Sequence, residues 1–287
     1  MMTFGGQAKV AGIIGWPVAH SLSPWLHRHW LAQLGIDGAY VPMPARREDF
    51  SEVLNGLMGA GFVGVNVTVP HKQAAFAIAH ESDAPAQQTG AANLLLFRPG
   101  GWIEARNTDV AGLAASLAEE LGPDTLNGHG AMLLGAGGAA RAAVLALAGL
   151  GVGEIRILSR DESRGQGFAA HLQPHVPTSL VPLPWTEWPV AARTIVLLVN
   201  ATSAGMSGSA ELDLPLEHLP VGAAVYDLVY HPPQTALLKQ AHARGLKACN
   251  GLGMLIHQAA PTFAAFYGQT PAVTPGLRAE LEQALAP

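Results

Sequence analysis

The segment AMLLGAGGAARAAVLALAGLG, residues 131–151, constrains the fold more strongly than any other part of the chain. A short apolar run is followed by a glycine-rich turn and then by a helix-forming run of Ala, Val and Leu. Such a unit is typical of dinucleotide-binding domains. Gly135 permits the tight turn, Gly137 lets the backbone approach a pyrophosphate, and Ala140 keeps the helix close to the strand. The pattern predicts a dinucleotide site, and a purely structural turn is the alternative.

The next predicted strand, residues 154–160, ends where such domains select their cofactor. The sequence there is Ser159-Arg160-Asp161-Glu162-Ser163-Arg164. The guanidinium groups of Arg160 and Arg164 are suited to bind a 2′-phosphate. Asp161 and Glu162 would repel that phosphate, unless they serve the start of a helix, where acidic side chains are favoured. NADP is therefore the expected cofactor, and NAD is the alternative.

Strands and helices alternate along nearly the whole chain, which predicts an α/β protein. The expected fold is an N-terminal α/β domain with a mainly parallel sheet, followed by a Rossmann-like dinucleotide-binding domain. The predicted strands lie at 10–15, 39–43, 62–69, 92–98, 101–108, 131–134, 154–160, 194–200, 223–230 and 247–250, with a weaker candidate at 179–183. The main predicted helices lie at 24–35, 49–61, 109–122, 234–245 and 252–268, and a further helix follows the glycine turn within residues 131–151.

The composition excludes several classes of protein. The 287 residues carry a net charge of −5, with no basic surface that would favour nucleic acid or an anionic membrane. No signal-peptide pattern and no uninterrupted apolar stretch of membrane-spanning length is present. Cys249 is the only cysteine, which fits a reducing compartment. We expect a cytoplasmic protein that acts on small molecules.

Lys72 stands out in the stretch GVNVTVPHKQAA, residues 64–75. The valines alternate with Asn66 and Thr68, which predicts a strand with one apolar face, and Pro70 suits the first turn of a helix. A cation at the start of a helix is disfavoured, so Lys72 is either tolerated there without a role or required as an ammonium group beside Asn66 and Thr68.

Two further segments carry polar side chains at strand boundaries. TGAANLL contains Asn93, and EARNTDVAG contains Asn107, Thr108 and Asp109. An Asp that opens a helix is commonly a cap. Together with Lys72 in one site, however, Asp109 would form a pair able to transfer a proton.

Ser21 and Ser23 lie in GWPVAHSLSPWLH, in a loop closed by Pro24. Two hydroxyl groups at this spacing can bind a polyol or a carboxylate, although each could instead cap a helix. His20, His27 and His29 lie nearby, but no HExxH motif or cysteine partner accompanies them. No metal site is predicted.

These motifs together resemble the shikimate dehydrogenase family, in the family's order and over nearly the whole chain. The matching stretches are GWPVAHSLSPWLH, NVTVPHK, TGAANLL, NTD, GAGGAAR, NATSAGM, YDLVYHPPQT and NGLGMLIHQAA. The resemblance implies NADPH-dependent reduction of 3-dehydroshikimate to shikimate, a step toward aromatic amino acids. It also implies a substrate-binding domain at 1–108, an NADP-binding Rossmann domain at 109–250, and a C-terminal helical segment at 251–287 that packs on the first domain.

The resemblance also assigns roles to individual residues. Lys72 and Asp109 would be the catalytic pair. The substrate would be bound by Ser21, Ser23, Asn66, Thr68, Lys72, Asn93, Asp109, Tyr230 and Gln258. The cofactor would contact Gly135, Ala136, Gly137, Gly138, Ala139, Ser159, Arg160, Arg164, Thr202, Ser203, Met206, Leu228, Gly251 and Met254.

The sequence departs from the family pattern after the second strand of the nucleotide-binding domain. The family commonly has Asn-Arg-Thr where this chain has Ser159-Arg160-Asp161, which leaves the choice of cofactor open. Two other interpretations are a quinate/shikimate dehydrogenase with NAD or dual cofactor use, and a catalytically silent relative that binds nucleotide and metabolite. A monomer or a homodimer is expected.

Overall fold

The structure is a computed structural model that describes residues 5–285. The chain divides into two compact units, of which the first contains residues 5–109 and Leu255–Leu277. The second contains Val110–Met254 and residues 278–285. The segment predicted as one block over 251–287 is therefore divided between the units. One reason is that Arg278 forms an ion pair with Glu120 of the second unit, at 2.5 Å.

The first unit contains a six-stranded sheet in the order β2-β1-β3-β5-β6-β4. The β1–β2, β1–β3 and β4–β6 pairs are parallel, whereas β3–β5 and β5–β6 are antiparallel. The elements are β1 (Lys9–Gly15), α1 (Ser23–Leu34), β2 (Gly38–Pro44), α2 (Phe50–Gly59), β3 (Gly64–Val67), α3 (Lys72–Ile78), β4 (Glu81–Ser82), α4 (Ala84–Thr89), β5 (Leu94–Arg98) and β6 (Trp102–Arg106).

The strand before Lys72 differs from its prediction. All four residues of β3 are buried, so the strand has no solvent-facing side, and Val69 beyond its end is 63% exposed. The one-sided pattern was wrong because β3 lies between β1 and β5 inside the sheet, where both faces are covered. Pro70 lies before α3, which begins at Lys72 itself.

The second unit contains a six-stranded sheet in the order β12-β11-β10-β7-β8-β9, with every pair parallel. This is a doubly wound sheet of the Rossmann-like kind that the glycine turn predicts. The elements are α5 (Asp109–Leu121), β7 (Gly130–Leu134), α6 (Gly138–Gly149), β8 (Glu154–Leu158), α7 (Glu162–Leu172), β9 (Ser179–Leu183), α8 (Trp188–Ala191), β10 (Ile195–Asn200), β11 (Ala224–Asp227), α9 (Ala236–Ala243), β12 (Lys247–Asn250), α10 (Leu252–Tyr267) and α11 (Pro275–Ala284).

Alternate side chains of the second sheet enter two separate apolar cores. Leu133 and Ile155 belong to the core on one face, together with Val144 of α6. Met132 and Leu198 belong to the core on the other face. Strands covered on both faces need apolar residues at nearly every position, which explains the uninterrupted runs in their sequences.

The C-terminal part of the chain contains a helix that the sequence patterns did not predict. The α11 helix begins at Pro275, and the Thr274 hydroxyl accepts a hydrogen bond from the Leu277 N–H. The α10 helix, which was predicted, runs from Leu252 to Tyr267 with Pro261 inside it. Over residues 5–285, no helix is both long and apolar enough to cross a membrane.

Candidate active site

The direction of the strands in the first unit brings distant segments to one edge of the sheet. β1, β3 and β6 run the same way, and β5 runs opposite to its neighbours β3 and β6. The chain therefore leaves β1, β3 and β6, and enters β5, at the same edge. Ser21 and Ser23 follow β1, Lys72 follows β3, Asn93 precedes β5, and Asp109 follows β6.

Lys72 and Asp109 meet at this edge, as the sequence predicts. The Lys72 Nζ donates a hydrogen bond to Asp109 Oδ2 over 2.5 Å. The two side chains are only 14% and 6% exposed, so solvent screens the pair less than it would at the surface. An ammonium and a carboxylate at this distance can hold and transfer a proton.

Asn93 joins the ion pair to two neighbouring side chains. Its Nδ2 lies 3.0 Å from Asp109 Oδ1, 2.8 Å from Thr108 Oγ1 and 3.2 Å from Gln258 Oε1. Its Oδ1 accepts a hydrogen bond from the Thr108 N–H at 2.8 Å. Both carboxylate oxygens of Asp109 are thus bonded, one to Lys72 and one to Asn93, and the carboxylate is held in one orientation.

Asn107 supports the main chain of Asp109. Its Oδ1 accepts a hydrogen bond from the Asp109 N–H at 3.1 Å, while its Nδ2 donates to Thr89 Oγ1 and to the Ala91 carbonyl. The Asn107 N–H in turn donates to the carboxylate of Asp83. All of these hydrogen bonds serve buried or half-buried groups, so the backbone that carries Asp109 is well anchored.

Asn66 lies within β3 and is 5% exposed. Its Nδ2 donates to the Asn93 carbonyl at 3.0 Å, and its Oδ1 accepts from the Tyr40 hydroxyl at 2.7 Å. Thr68 follows at the end of the strand, with its N–H bonded to the Ile14 carbonyl. Asn66 and Thr68 are therefore held in place just before the segment that leads to Lys72.

Ser21 and Ser23 lie at the start of α1. The Ser21 Oγ accepts a hydrogen bond from the Ser23 N–H at 3.3 Å, and Ser23 is 4% exposed. Within residues 5–285, neither serine hydroxyl forms a hydrogen bond with Lys72 or Asp109. The fold brings these serines to the same edge of the sheet but does not link them to the ion pair.

In the second unit, the glycine turn has the conformation that its sequence predicts. Gly135 has a φ of +103°, and a Cβ there would lie 2.9 Å from the methyl group of Thr202, so a side chain is excluded twice over. At Gly137 a Cβ would meet nothing within 4 Å.

That open space lies before the first N–H groups of α6, where Gly138 and Ala139 begin the helix. A helix N-terminus with an unobstructed approach suits a pyrophosphate. Ala136 lies within the turn and is half-buried, whereas Ala140 is fully buried against the sheet. The residues present therefore fit a dinucleotide.

Arg160 and Arg164 are both exposed, at the end of β8 and in the first turn of α7. Asp161 caps α7, because its carboxylate accepts hydrogen bonds from the Arg164 N–H at 3.1 Å and the Ser163 hydroxyl at 2.8 Å. The Arg164 bond is the main reason that the pKa of Asp161 lies below its ordinary value. Helix capping thus accounts for this acidic residue, and Ser159 beside it is buried.

A buried carboxylate, Asp227, connects the loops that follow β10 and β11. Its Oδ1 accepts from Asn200 Nδ2 at 2.9 Å and from the Val229 N–H at 3.1 Å, and its Oδ2 accepts from the Thr235 hydroxyl at 2.7 Å. Burial raises the pKa of Asp227 to about 6. Asn200 Oδ1 also accepts from the Thr202 hydroxyl at 2.7 Å, so this network holds the loop that contains Thr202.

The remaining predicted cofactor residues lie around the same loops. Ser203 and Met206 follow Thr202 in the loop after β10, and Leu228 and Tyr230 follow β11. A Cβ on Gly251 would lie 2.1 Å from the Leu228 carbonyl oxygen, so only glycine allows these two segments to approach so closely. Met254 is buried in the apolar core of this unit.

Sequence reasoning missed several residues that shape these sites. The Thr89 hydroxyl donates to the Ala91 carbonyl, and the Tyr40 hydroxyl donates to Asn66 Oδ1. Asp227 orders the loops of the second unit. Asp227 stands in the motif YDLVY, which offered a signal, but its isolation from other charges in the sequence gave no reason to assign it a role. Within the described part of the chain, no three His, Cys, Asp or Glu side chains lie close enough to hold a metal ion.

Comparison with known proteins identifies the relatives of this chain. A family model described as the shikimate dehydrogenase substrate binding domain matches residues 13–95. The shikimate dehydrogenase (NADP(+)) of Paramagnetospirillum magneticum is 45% identical over 274 residues, which cover 96% of this chain and 98% of that protein.

Two solved structures extend the comparison to the fold. Shikimate 5-dehydrogenase from Thermus thermophilus, in complex with NADP(H) and shikimate, gives a TM-score of 0.83 at 35% identity over 97% of this chain and 100% of that one. Quinate dehydrogenase from Corynebacterium glutamicum, in complex with NAD, gives a TM-score of 0.86 at 29% identity. The match covers 96% of this chain and 99% of that one.

The glycine turn on a parallel sheet, together with a buried ammonium–carboxylate pair, defines an α/β oxidoreductase that uses a dinucleotide. With 45% identity to a curated relative over nearly its whole length, the chain belongs to the shikimate dehydrogenase family.

Proposed function

We propose that this protein catalyses the reversible NADPH-dependent reduction of 3-dehydroshikimate to shikimate, in the biosynthesis of chorismate and the aromatic amino acids. The observation that carries the proposal is the buried Lys72–Asp109 pair, with Asn93 bonded to Asp109 and to Gln258. Curated relatives with 42–45% identity are named shikimate dehydrogenase (NADP(+)), which supports both the substrate and the cofactor.

Reduction of a ketone needs a hydride for the carbon and a proton for the oxygen. Bound NADPH would supply the hydride. The Lys72 ammonium would give its proton to the C3 oxygen of 3-dehydroshikimate, and the Asp109 carboxylate would keep the ammonium charged and oriented. In the oxidation of shikimate, neutral Lys72 would accept the proton of the C3 hydroxyl.

Substrate binding is assigned to side chains that can donate or accept hydrogen bonds around an anionic polyol. Ser21 and Ser23 would bind the carboxylate of the substrate. The ring hydroxyls would be bound by Thr68, Lys72, Asn93, Asp109 and Gln258. Asn66 would line the same pocket, and Tyr230 would close over the substrate. Support comes from the clustering of most of these residues at one edge of the first sheet.

NADP would be bound by the second unit. The open approach to Gly137 at the start of α6 supports a pyrophosphate site formed by Gly135, Ala136, Gly137, Gly138 and Ala139. Arg160 and Arg164, with Ser159 beside them, would bind the 2′-phosphate. The role of Asp161 as a helix cap explains why an acidic residue lies between these arginines, since its Oδ1 accepts hydrogen bonds from the Ser163 hydroxyl and the Arg164 N–H.

The decisive experiment is a spectrophotometric assay that follows NADP reduction with shikimate as the donor. We expect turnover with NADP and shikimate that exceeds turnover with NAD or with quinate. Lys72→Ala would serve as the control that removes the proton donor. A protein that binds shikimate and NADP without turnover would be a silent relative, and a protein that prefers quinate with NAD would belong with the quinate dehydrogenase found among its structural neighbours.

We also propose that the protein works in the cytoplasm as a monomer or homodimer. The single cysteine, Cys249, is buried, which is consistent with a reducing compartment. Size-exclusion chromatography with light scattering would establish the oligomeric state.

A further inference from the structure

Tyr40, on β2, is joined to the proposed substrate site by a hydrogen bond to Asn66. The Tyr40 hydroxyl lies 2.7 Å from Asn66 Oδ1, and Asn66 Nδ2 lies 3.0 Å from the Asn93 carbonyl oxygen. A carbonyl oxygen can only accept, so the amide nitrogen of Asn66 must face Asn93. The amide oxygen then faces Tyr40, and Tyr40 must be the donor.

These two hydrogen bonds determine what Asn66 can offer to a ligand. They occupy one of its two N–H groups and one of the lone pairs on its oxygen. The second N–H then has a defined direction, because rotation of the amide would break both bonds at a residue that is 5% exposed. Without the Tyr40 hydroxyl, only the Asn93 carbonyl would hold the amide.

The Tyr40 ring is itself held in a rigid aromatic cluster. It stacks on His27 with the ring centroids 3.8 Å apart and the planes inclined by 15°. Complete burial lowers the pKa of His27 to about 3, so its ring is neutral at physiological pH. Phe263 and Phe266 pack against the same imidazole, with ring centroids 5.6 and 6.2 Å from the His27 centroid. A ring fixed in this way can direct its hydroxyl with little freedom.

We infer that Tyr40 is a positioning residue for substrate binding, which sets the direction of the Asn66 amide without touching the substrate. The inference rests on the proposed function. Asn93 extends the same arrangement to the reacting groups, because its carbonyl accepts from Asn66 while its side chain donates to Asp109. Tyr40 would therefore affect how the polyol is held more than how fast it reacts once bound.

The test compares Tyr40→Phe with a matched control, Tyr267→Phe. Both substitutions remove one hydroxyl from the same aromatic cluster, but the Tyr267 hydroxyl donates to the main-chain carbonyl of Ala39, at 2.9 Å. Removal of a hydrogen bond that orients a binding group should raise the KM for shikimate about three- to tenfold in Tyr40→Phe, with a smaller change in kcat. The KM for NADP should stay the same in both variants, and Tyr267→Phe should leave the KM for shikimate unchanged.

A double-mutant cycle with Asn66→Ala sharpens the test. If Tyr40 acts through Asn66, Tyr40→Phe should change the KM little in the Asn66→Ala background. Independent effects in the cycle, a KM change no larger than that of Tyr267→Phe, or a Tyr40→Phe protein that fails to fold would overturn the inference. A wild-type enzyme that does not turn over shikimate would instead overturn the proposed function, and this inference with it.

Discussion

The two units hold their candidate sites in different ways. In the first unit the polar groups are buried and come from distant parts of the chain, and Asn93 and Gln258 are 165 positions apart. In the second unit the glycine turn and the two arginines all lie within residues 135–164, and the arginine side chains are exposed. The first arrangement is preorganised by many hydrogen bonds, whereas the second offers backbone N–H groups and exposed charges.

This difference suits the two units to different functions, the first to the reaction and the second to cofactor binding. Groups that act on a reacting atom must be held in one geometry before the substrate arrives. Groups that only bind a cofactor can adjust to it, since they contribute affinity and selectivity. Substitutions in the first unit should therefore change turnover, and substitutions at the exposed arginines should change the choice of cofactor.

The largest effect is expected for Lys72→Ala. Loss of the proton donor should lower kcat by about 10²- to 10⁴-fold, while the KM for NADP changes little. Lys9→Ala, which alters a lysine on β1 of the same unit, is the control and should retain turnover. Steady-state kinetics measures both. An equal loss of turnover and of NADP affinity would contradict the idea that the first unit acts on the reaction and the second binds the cofactor.

The next effect concerns the cofactor. Replacement of Arg160 and Arg164 by Leu should raise the KM for NADP by about 10- to 100-fold, because two charge-assisted hydrogen bonds are lost. The KM for NAD should hardly change. Arg193→Leu, another exposed arginine of the second unit, is the control. An unchanged ratio of the two KM values would mean that the 2′-phosphate is bound elsewhere.

A third prediction concerns Asp227, a buried carboxylate in the unit whose other candidate charges are exposed. Its pKa is raised to about 6, so the folded protein holds this proton more tightly than the unfolded chain does. The group therefore favours the folded state at low pH, and this contribution is lost as the pH rises from about 4 to about 6.

Asp227→Asn removes that titration but keeps a side chain that can accept from Asn200 and donate to Thr235. The stability of the variant relative to the wild type should rise across this pH range, by roughly 2–3 kcal/mol. Chemical denaturation at several pH values measures the difference, with the exposed Asp213→Asn as the control. Parallel profiles for wild type and Asp227→Asn would contradict the expectation.

The smallest effect is expected at Asp161. Its carboxylate caps α7, so Asp161→Ala should lower the melting temperature by a few degrees, more than Glu162→Ala does. The preference for NADP over NAD should stay nearly constant, because Asp161 serves the helix. A large shift in cofactor preference would show that this carboxylate acts on the nucleotide after all.

Much of the fold was readable from local patterns. The glycine turn, the alternating strands and helices, and the apolar runs of the second sheet are all features of neighbouring residues, and their predicted positions agree with β7, α6, β8 and β10. The pattern at residues 62–69 misled, because alternation cannot reveal that β3 is buried on both faces. The α11 helix was missed, although Leu277, Leu281 and Leu285 are spaced four residues apart and are buried on one side of it.

The sequence by itself determined the class of fold, the dinucleotide turn and, through resemblance, the pairing of Lys72 with Asp109. Only the tertiary structure decided how Asp109 is held on both oxygens, that Asp161 caps a helix, and that Tyr40 directs Asn66. The physical reason is the distance along the chain between the residues that interact. Periodicity and turns arise between neighbours, whereas the orientation of a buried polar group depends on partners that the folded sheets bring together from remote parts of the chain.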